Sequence, residues 1–224
     1  MSYNLLKGKR GLIFGALNSN SIAWQVAERA YEEGASIMLT NAPVARRLGE
    51  IEKLAKACNT EVIYADATNI EDLEMLVATS TEKLGGKLDF VLHSIGMSAN
   101  VRKDIPYDNT NYDNYLKTLD ISALSFHKIL QTCRKLDAIN EWGSVVALTY
   151  VASTRTLYGY NDMADAKAAL ESIARSFGYI YGRDKKVRIN TVSQSPTITT
   201  ASSGIRSFNM MYDFSNRMSP LGNA

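Results

Sequence analysis

The stretch Gly11-Leu-Ile-Phe-Gly-Ala-Leu-Asn-Ser-Asn-Ser-Ile-Ala23 decides the fold. Its apolar start, residues 11–14, predicts a buried strand, and Gly15 predicts a turn where that strand ends. A loop of Asn and Ser residues follows. Residues 21–33 then predict a helix, because small and apolar side chains recur on one helical face and Gly34 ends the pattern.

The rest of the chain repeats this alternation. Further strands are predicted at residues 36–40, 61–64, 88–95, 143–149 and 187–192. Helices are predicted at residues 45–58, 70–84 and 163–181, and a long helix ending near residue 136 follows a polar stretch at 97–113. Six strands alternating with helices predict an α/β fold, a doubly wound, Rossmann-like parallel sheet in three layers. A ligand should bind beyond the carboxyl ends of the strands, in the turns after Phe14, Thr40, Tyr64, Ile95, Thr149 and Ser193.

Composition narrows the class of protein. The 224 residues are 46% apolar and 21% charged, which predicts one globular domain over residues 1–224. A net charge of +2 gives no strong attraction to nucleic acid or an acidic membrane, and no apolar run is long enough to cross a bilayer. The N-terminus has no apolar signal segment, so a cytoplasmic protein is expected. Cys58 and Cys133 lack any ligand spacing, so we expect neither a disulfide framework nor a metal site.

The turn after the first strand is a candidate phosphate site. A dinucleotide-binding loop uses closely spaced glycines, whereas this loop has Gly15 alone. Ser21, at the start of the helix, fits two roles equally well. It is either a plain helix cap or part of a phosphate site formed by the free N–H groups of the first turn.

The next two strand ends leave the choice of nucleotide open. The second strand ends without the acidic residue that binds a ribose 2′-hydroxyl. Arg46 and Arg47 lie slightly further on, and they fit either a 2′-phosphate or a solvated helix turn. Asp66, which precedes Ala67 after the third strand, fits an adenine contact, a helix cap or a turn residue.

A tyrosine and a lysine follow the fifth strand. Tyr160 and Lys167 are seven residues apart, so on a helix they share a face and lie about 10.5 Å apart along the axis. An ammonium beside a phenol stabilises the ionised phenol, which predicts a donor of a proton or a strong hydrogen bond. A core tyrosine and a solvated lysine fit the same spacing.

Several motifs occur in a fixed order along the chain. They are Gly15-x5-Ser21-Ile22-Ala23, Asp66-Ala67, His93-Ser94-Ile95-Gly96-Met97, Asp120-Ile121-Ser122, Tyr150, Tyr160-x6-Lys167, Ser193-x2-Pro196 and Ala201-Ser-Ser-Gly-Ile205. From Leu6 to Gly222 the chain resembles the enoyl-[acyl-carrier-protein] reductases of bacterial type II fatty-acid synthesis, a divergent branch of the short-chain dehydrogenases/reductases. Ordinary members of that superfamily have Tyr-x3-Lys, so the longer spacing here disfavours a carbonyl reductase.

The resemblance implies an activity and a set of residues. The reaction is reduction of the trans-2 double bond of an enoyl thioester on acyl-carrier protein, with NAD(H) favoured as cofactor and NADP(H) as the alternative. Tyr160 would donate to the thioester oxygen and Lys167 to the ribose hydroxyls, and Tyr150 is the third catalytic candidate. The implied cofactor contacts are Gly15, Ser21, Ile22, Asp66, Ala67, Ser94, Ile95, Gly96, Lys167, Pro196, Thr197 and Thr199. The implied substrate contacts are Met97, Tyr150, Tyr160, Met163, Ile205 and Phe208.

The resemblance also implies a substrate-binding lid at residues 200–218 and a homotetramer. Family members continue beyond the position of Ala224 with a helix and a last strand, so that strand is expected to be missing here. Ser195 stands where the family usually has glycine. The alternative functions are a carbonyl reductase of the same superfamily and a non-catalytic nucleotide-binding protein. The presence of both Tyr160 and Lys167 argues against the second.

Overall fold

A computed structural model describes residues 2–48 and 50–222. In this part of the chain six strands form one parallel sheet in the order β3-β2-β1-β4-β5-β6. The predicted doubly wound α/β fold is confirmed. The strands are β1 (Arg10–Phe14), β2 (Ser36–Asn41), β3 (Val62–Tyr64), β4 (Leu88–His93), β5 (Ile139–Thr149) and β6 (Arg188–Ser193).

Helices cover both faces of the sheet. They are α1 (Ile22–Glu32), α2 (Ala45–Leu48), α3 (Ile51–Ala57), α4 (Ile70–Lys83), α5 (Ala99–Arg102), α6 (Tyr112–Leu119), α7 (Ser125–Lys135), α8 (Asn161–Lys185) and α9 (Phe208–Met218). Alternate residues of β1 point to opposite faces. Leu12 and Phe14 pack in a core with α4, α7 and α8, whereas Ile13 packs in a second core with α1 and α3.

The strand register brings the carboxyl ends to one edge. Phe14 pairs with Thr40 on one side and with His93 on the other. His93 in turn pairs with Ala147. The sheet therefore places the turns after β1, β2, β4 and β5 side by side, which is the ligand edge of a parallel sheet.

The single helix predicted for residues 45–58 is wrong. The chain forms the two helices α2 and α3 there, and Gly49 between them lies outside the described residues. The backbone N–H of Glu50 donates to the carbonyl oxygen of Leu17 at 2.8 Å. This bond ties the start of α3 to the loop after β1, a tertiary contact that helical periodicity does not reveal.

The predicted long helix ending near residue 136 is interrupted. A π-helical turn, Asp120–Leu124, separates α6 from α7. The hydroxyl of Ser122 accepts from the Met97 backbone N–H at 3.0 Å and lies 3.1 Å from the Met97 carbonyl oxygen. Such turns recur at functional sites. Here the turn packs against the segment after β4. That strand ends at His93 rather than at Ile95 as predicted.

Candidate active site

The loop after β1 lies directly against the loop after β4. Gly15 has a φ of +94°, and a Cβ added to it would lie 2.0 Å from the carbonyl oxygen of Ser94. Only glycine fits this conformation and this close approach. The backbone N–H of Gly15 also donates to Thr40 at the end of β2, at 3.2 Å. Three strand ends therefore meet at Gly15.

Ser21 does not use its side chain to cap α1. Its hydroxyl accepts instead from the backbone N–H groups of Leu17 and Asn18, both at 3.1 Å. The 11-residue helix that begins at Ile22 thus has no side-chain cap and no acidic residue in its first turn. The first N–H groups of a helix have no partner within the helix, so this end can bind an anion.

β2 ends at Asn41, and Asp66 follows the end of β3. Asn41 donates from its side-chain amide to the carbonyl oxygen of Ala16 at 2.7 Å, which supports the loop after β1. Arg46 is exposed and lies over the ring of Tyr64, 4.6 Å from its centre. Asp66 is a turn residue, because it accepts from the backbone and hydroxyl of Thr68. The cap of α4 is Asn69, so the cap reading of Asp66 is wrong.

Lys167 lies beneath the loop after β4. A Cβ added to Gly96 would be 3.7 Å from Lys167 Nζ and 3.4 Å from Met163 Cε, so these three residues adjoin one another. Lys167 is only 6% exposed and donates from Nζ to the carbonyl oxygen of Leu148 at 2.7 Å. Burial lowers its pKa to about 8, and the carboxylate of Glu171 opposes that shift.

The phenol of Tyr160 lies in a separate apolar cluster. Its ring meets the ring of Tyr150 edge-on, with centroids 5.0 Å apart. The cluster comprises Val101, Tyr150, Ala152, Tyr160, Met163 and Met211, with Leu157, Ala164 and Ile205 packed against it. Met163 contacts both this cluster and the Gly96 side of Lys167, so the apolar cluster adjoins the lysine.

The expected effect of the ammonium on the phenol is not found. Burial raises the pKa of Tyr160, and neighbouring Tyr150 raises it further, whereas Lys167 is not among the causes. The physical reason is that the Lys167 ammonium is bonded to Leu148 while the phenol is surrounded by apolar side chains. Tyr160 is therefore a neutral hydrogen-bond donor rather than a readily ionised phenol.

Tyr160 also lies before the helix rather than within it. It occupies the N-cap position of α8, and the next residue, Asn161, has a left-handed φ of +40°. Asn tolerates this conformation better than most residues, and such outliers cluster at functional sites. The orientation of Tyr160 relative to Lys167 thus depends on this turn and not on helical periodicity alone.

The remaining predicted contacts lie along the segment after β6. Pro196 is buried, and a turn follows in which the Ser202 hydroxyl donates to the carbonyl oxygen of Thr197 and accepts from the backbone N–H of Thr199. Thr200 exchanges side-chain hydrogen bonds with Asn18 at 2.8 and 3.1 Å, which joins this segment to the loop after β1. Ile205 packs against the Tyr160 cluster.

Phe208 lies apart from that cluster. Its ring stacks on Tyr212 with centroids 5.8 Å apart, while Met211 of the same helix packs with Tyr150 and Tyr160. The structure thus brings Tyr150, Tyr160, Met163 and Ile205 together. The residue of α9 that packs in this cluster is Met211 rather than Phe208.

A family model described as Enoyl-(Acyl carrier protein) reductase matches residues 15–224. The chain belongs to the enoyl-[acyl-carrier-protein] reductase family. The reductases of this family are nicotinamide-dependent oxidoreductases of fatty-acid biosynthesis.

Known relatives agree in sequence and in fold. Enoyl-[acyl-carrier-protein] reductase [NADH] 2 of Rhizobium meliloti (strain 1021) is 36% identical, over 97% of this chain and 80% of that protein. The crystal structure of a FabI–NADH complex from Alistipes finegoldii is 68% identical with a TM-score of 0.97, over 99% of this chain and 78% of that one. The Bacillus cereus enoyl-acyl carrier protein reductase, solved with NADP+ and indole naphthyridinone, is 28% identical with a TM-score of 0.88, over 100% and 85%.

Sequence reasoning missed two buried groups of this reductase. His93 is fully buried, its Nε2 lies 2.9 Å from the Ser125 hydroxyl, and burial and then Lys167 lower its pKa to about 3. Asp162 is fully buried beside Met163. A signal for Asp162 exists in the sequence, because it stands four residues before Ala166 and eight before Leu170, on the apolar stripe of α8.

No helix among the described residues is long and apolar enough to span a membrane. Within the same residues, no group of three or more His, Cys, Asp or Glu side chains is placed to hold a metal ion.

Proposed function

We propose that this reductase adds hydride to the β-carbon of a trans-2-enoyl thioester carried by acyl-carrier protein. The observation that carries the proposal is the pairing of two adjoining sites. One is polar, around Lys167 and Gly96, and the other is apolar and contains the neutral phenol of Tyr160. An anionic nicotinamide nucleotide and a fatty acyl chain need sites of these two kinds, side by side.

The residues present fit the nucleotide. Gly15 has no side chain to cover the loop backbone, and the start of α1 has no side-chain cap. Lys167 supplies a buried cation. Ser21 and Ile22 would contact the phosphates, Asp66 and Ala67 the adenine, and Ser94 to Gly96 the ribose. Pro196, Thr197 and Thr199 would lie by the carboxamide and pyrophosphate. The bound cofactor supplies the hydride.

Tyr160 would stabilise the charge that this addition creates. Hydride addition at the β-carbon moves electrons onto the thioester oxygen and produces an enolate. A neutral, buried phenol donates a hydrogen bond to that oxygen, and a donor fixed in an apolar pocket is most effective where charge develops. The enolate then takes a proton at its α-carbon. Tyr150, Met97, Met163 and Ile205 would hold the acyl chain, with Tyr150 packed on the Tyr160 ring.

NADH is the cofactor we propose. The Rhizobium meliloti relative is an NADH enzyme, and the Alistipes finegoldii relative was solved with NADH. The Bacillus cereus relative was solved with NADP+. Arg46 lies over the Tyr64 ring at the end of β3, and Arg47 is exposed beside it.

Residues 200–218 are proposed as a lid over the acyl site within the domain predicted for residues 1–224. Support comes from α9, whose Met211 packs on the Tyr160 cluster, and from the link between Thr200 and Asn18. The homotetramer and the cytoplasmic location stay predictions.

The test is oxidation of NADH in the presence of a crotonyl thioester, followed by absorbance. We expect loss of the reduced-nicotinamide band with the enoyl thioester and none with a β-ketoacyl thioester. NADPH is assayed in parallel. Oxidation with the ketoacyl thioester alone would identify a carbonyl reductase, and binding of NADH without turnover of either thioester would identify a non-catalytic nucleotide-binding protein.

A further inference from the structure

Asp162 is a buried carboxylate without a cationic partner. It is 0% exposed, and no Lys, Arg or His of the described residues forms an ion pair with it. Three neutral groups lie within hydrogen-bond distance of it instead. The hydroxyl of Ser98 donates at 2.6 Å and the amide of Asn100 at 2.9 Å. The hydroxyl of Thr118 is 2.9 Å from the carboxylate and also 2.9 Å from the carbonyl oxygen of Asn114, so its one proton is shared between them. A buried carboxylate is costly unless donors are held in place around it, so this arrangement is demanding.

The donors are themselves held by further hydrogen bonds. Ser98 accepts from the backbone N–H of Val101 and so caps α5. Asn100 accepts from the side-chain amide of Asn114 at 3.2 Å and donates to the carbonyl oxygen of Asn111 at 3.1 Å. The network thus joins three elements, the segment after β4, α6 and the first turn of α8.

The segment that Asp162 holds forms one wall of the proposed acyl site, which is the Tyr160 cluster. Residues 98–105, called here the wall segment, follow Gly96 and Met97 and contribute Val101 to the Tyr160 cluster. Asn161 holds the other end of the wall segment, because its side-chain amide donates to the carbonyl oxygen of Ile105 at 2.7 Å. Tyr160 is the residue immediately before these two, so the phenol and the wall share one anchor.

We propose that Asp162 is a positioning residue that fixes the wall segment relative to Tyr160 and thereby sets which acyl chains the site accepts. The inference rests on the proposed function, since it names a specificity determinant of the same site. Small displacements of groups around a reacting centre have large kinetic effects. An amide at position 162 keeps the size of the side chain but presents one acceptor oxygen in place of two, so part of the network is lost.

The experiment compares Asp162→Asn with Asp165→Asn in the full chain. Asp165 is on the same helix and accepts from the hydroxyls of Tyr107 and Tyr115 at 3.0 and 3.1 Å. None of these three residues belongs to the Tyr160 cluster. With Asp162→Asn we expect kcat to fall about tenfold while the Kd of NADH changes less than twofold. The ratio of kcat/KM between a long-chain enoyl thioester and the crotonyl thioester should change at least about fivefold. Asp165→Asn, which makes the same chemical replacement, should leave kcat and the chain-length ratio unchanged.

Ser98→Ala and Thr118→Val provide a second, milder measurement if Asp162→Asn does not fold. Each should shift the chain-length ratio in the same direction, and the two substitutions combined should shift it by less than the sum of the single effects. A folded Asp162→Asn with the unaltered chain-length ratio would overturn the inference, as would an equal effect of Asp165→Asn. Failure of the unaltered chain to oxidise NADH with any enoyl thioester would instead refute the proposed function.

Discussion

Lys167 Nζ lies 2.7 Å from the carbonyl oxygen of Leu148, to which it donates a hydrogen bond at the end of β5. The bond anchors a buried cation on the sheet rather than leaving it in water. Glu171, one turn further along α8, accepts from the hydroxyls of Thr149 and Ser153 and favours the charged form of the lysine. The lysine is thus positioned by β5 and α8 together before any ligand binds.

This burial predicts a pH-dependent stability. The pKa of Lys167 is about 8 in the folded chain against 10.5 for the ordinary group, so the unfolded chain binds more protons between those values. The free energy of unfolding should therefore rise with pH in this window. Between pH 8 and 9.5 we expect the rise to be about 1.5 kcal/mol larger in the unaltered chain than in Lys167→Met, measured by urea unfolding. Parallel pH profiles of the two proteins would contradict the assigned burial.

Lys167→Ala should weaken cofactor binding. The variant removes a fixed positive charge beside Gly96, and a hydrogen bond from a charged group contributes about 1.5–3 kcal/mol. We expect the Kd of NADH to increase about tenfold or more by calorimetric titration. An unchanged Kd together with lost turnover would assign the lysine to the chemical step instead.

Tyr160→Phe should show the opposite pattern. The variant keeps the apolar ring that packs on Tyr150 and removes only the donor hydroxyl. We expect kcat with an enoyl thioester to fall roughly a hundredfold, while the Kd of NADH stays within about twofold. Because the pKa of Tyr160 is raised, the activity of the unaltered chain should not decline at alkaline pH from ionisation of this phenol. A loss of NADH affinity that matches the loss of turnover would refute the assignment.

Gly15→Ala tests the close approach of the two loops, with Gly8→Ala as its matched control. Both glycines have positive φ, +94° and +75°, but a Cβ on Gly8 meets nothing within 4 Å, whereas one on Gly15 meets Ser94 at 2.0 Å. Gly8→Ala should lower the free energy of unfolding by about 1 kcal/mol and leave NADH binding intact. Gly15→Ala should lower it by about 3 kcal/mol or more and abolish NADH binding. Equal effects of the two variants would show that the approach is not sterically limiting.

Gly159→Ala tests how the lid is seated. Gly159 has a φ of +77°, and a Cβ there would lie 2.5 Å from the hydroxyl oxygen of Ser207, at the start of α9. We expect amide hydrogen exchange in residues 200–218 to speed up about tenfold, because the lid is pushed away from Tyr160. Ser207→Gly should restore part of the protection in the double variant, since glycine is tolerated at a helix N-cap. Unaltered exchange in Gly159→Ala would refute this contact as the seat of the lid.

The fold was largely predictable because its signals are local. Apolar runs of strand length alternate with helical patterns, and Gly15 and Gly34 mark the ends of β1 and α1. The errors fall where a contact between distant segments overrides local preference. Glu50 bonds to Leu17 and divides a predicted helix, and Ser122 bonds to Met97 at the π-helical turn.

The sequence by itself determined the parallel sheet, the crevice at its carboxyl edge and the candidate residues Tyr160 and Lys167. It did so because periodicity and turn residues act over a few neighbours along the chain. Only the tertiary structure decided the protonation of Tyr160, the lowered pKa of Lys167 and the burial of Asp162. These properties depend on how much water and which dipoles surround a side chain, and most of those groups come from segments far away in the sequence.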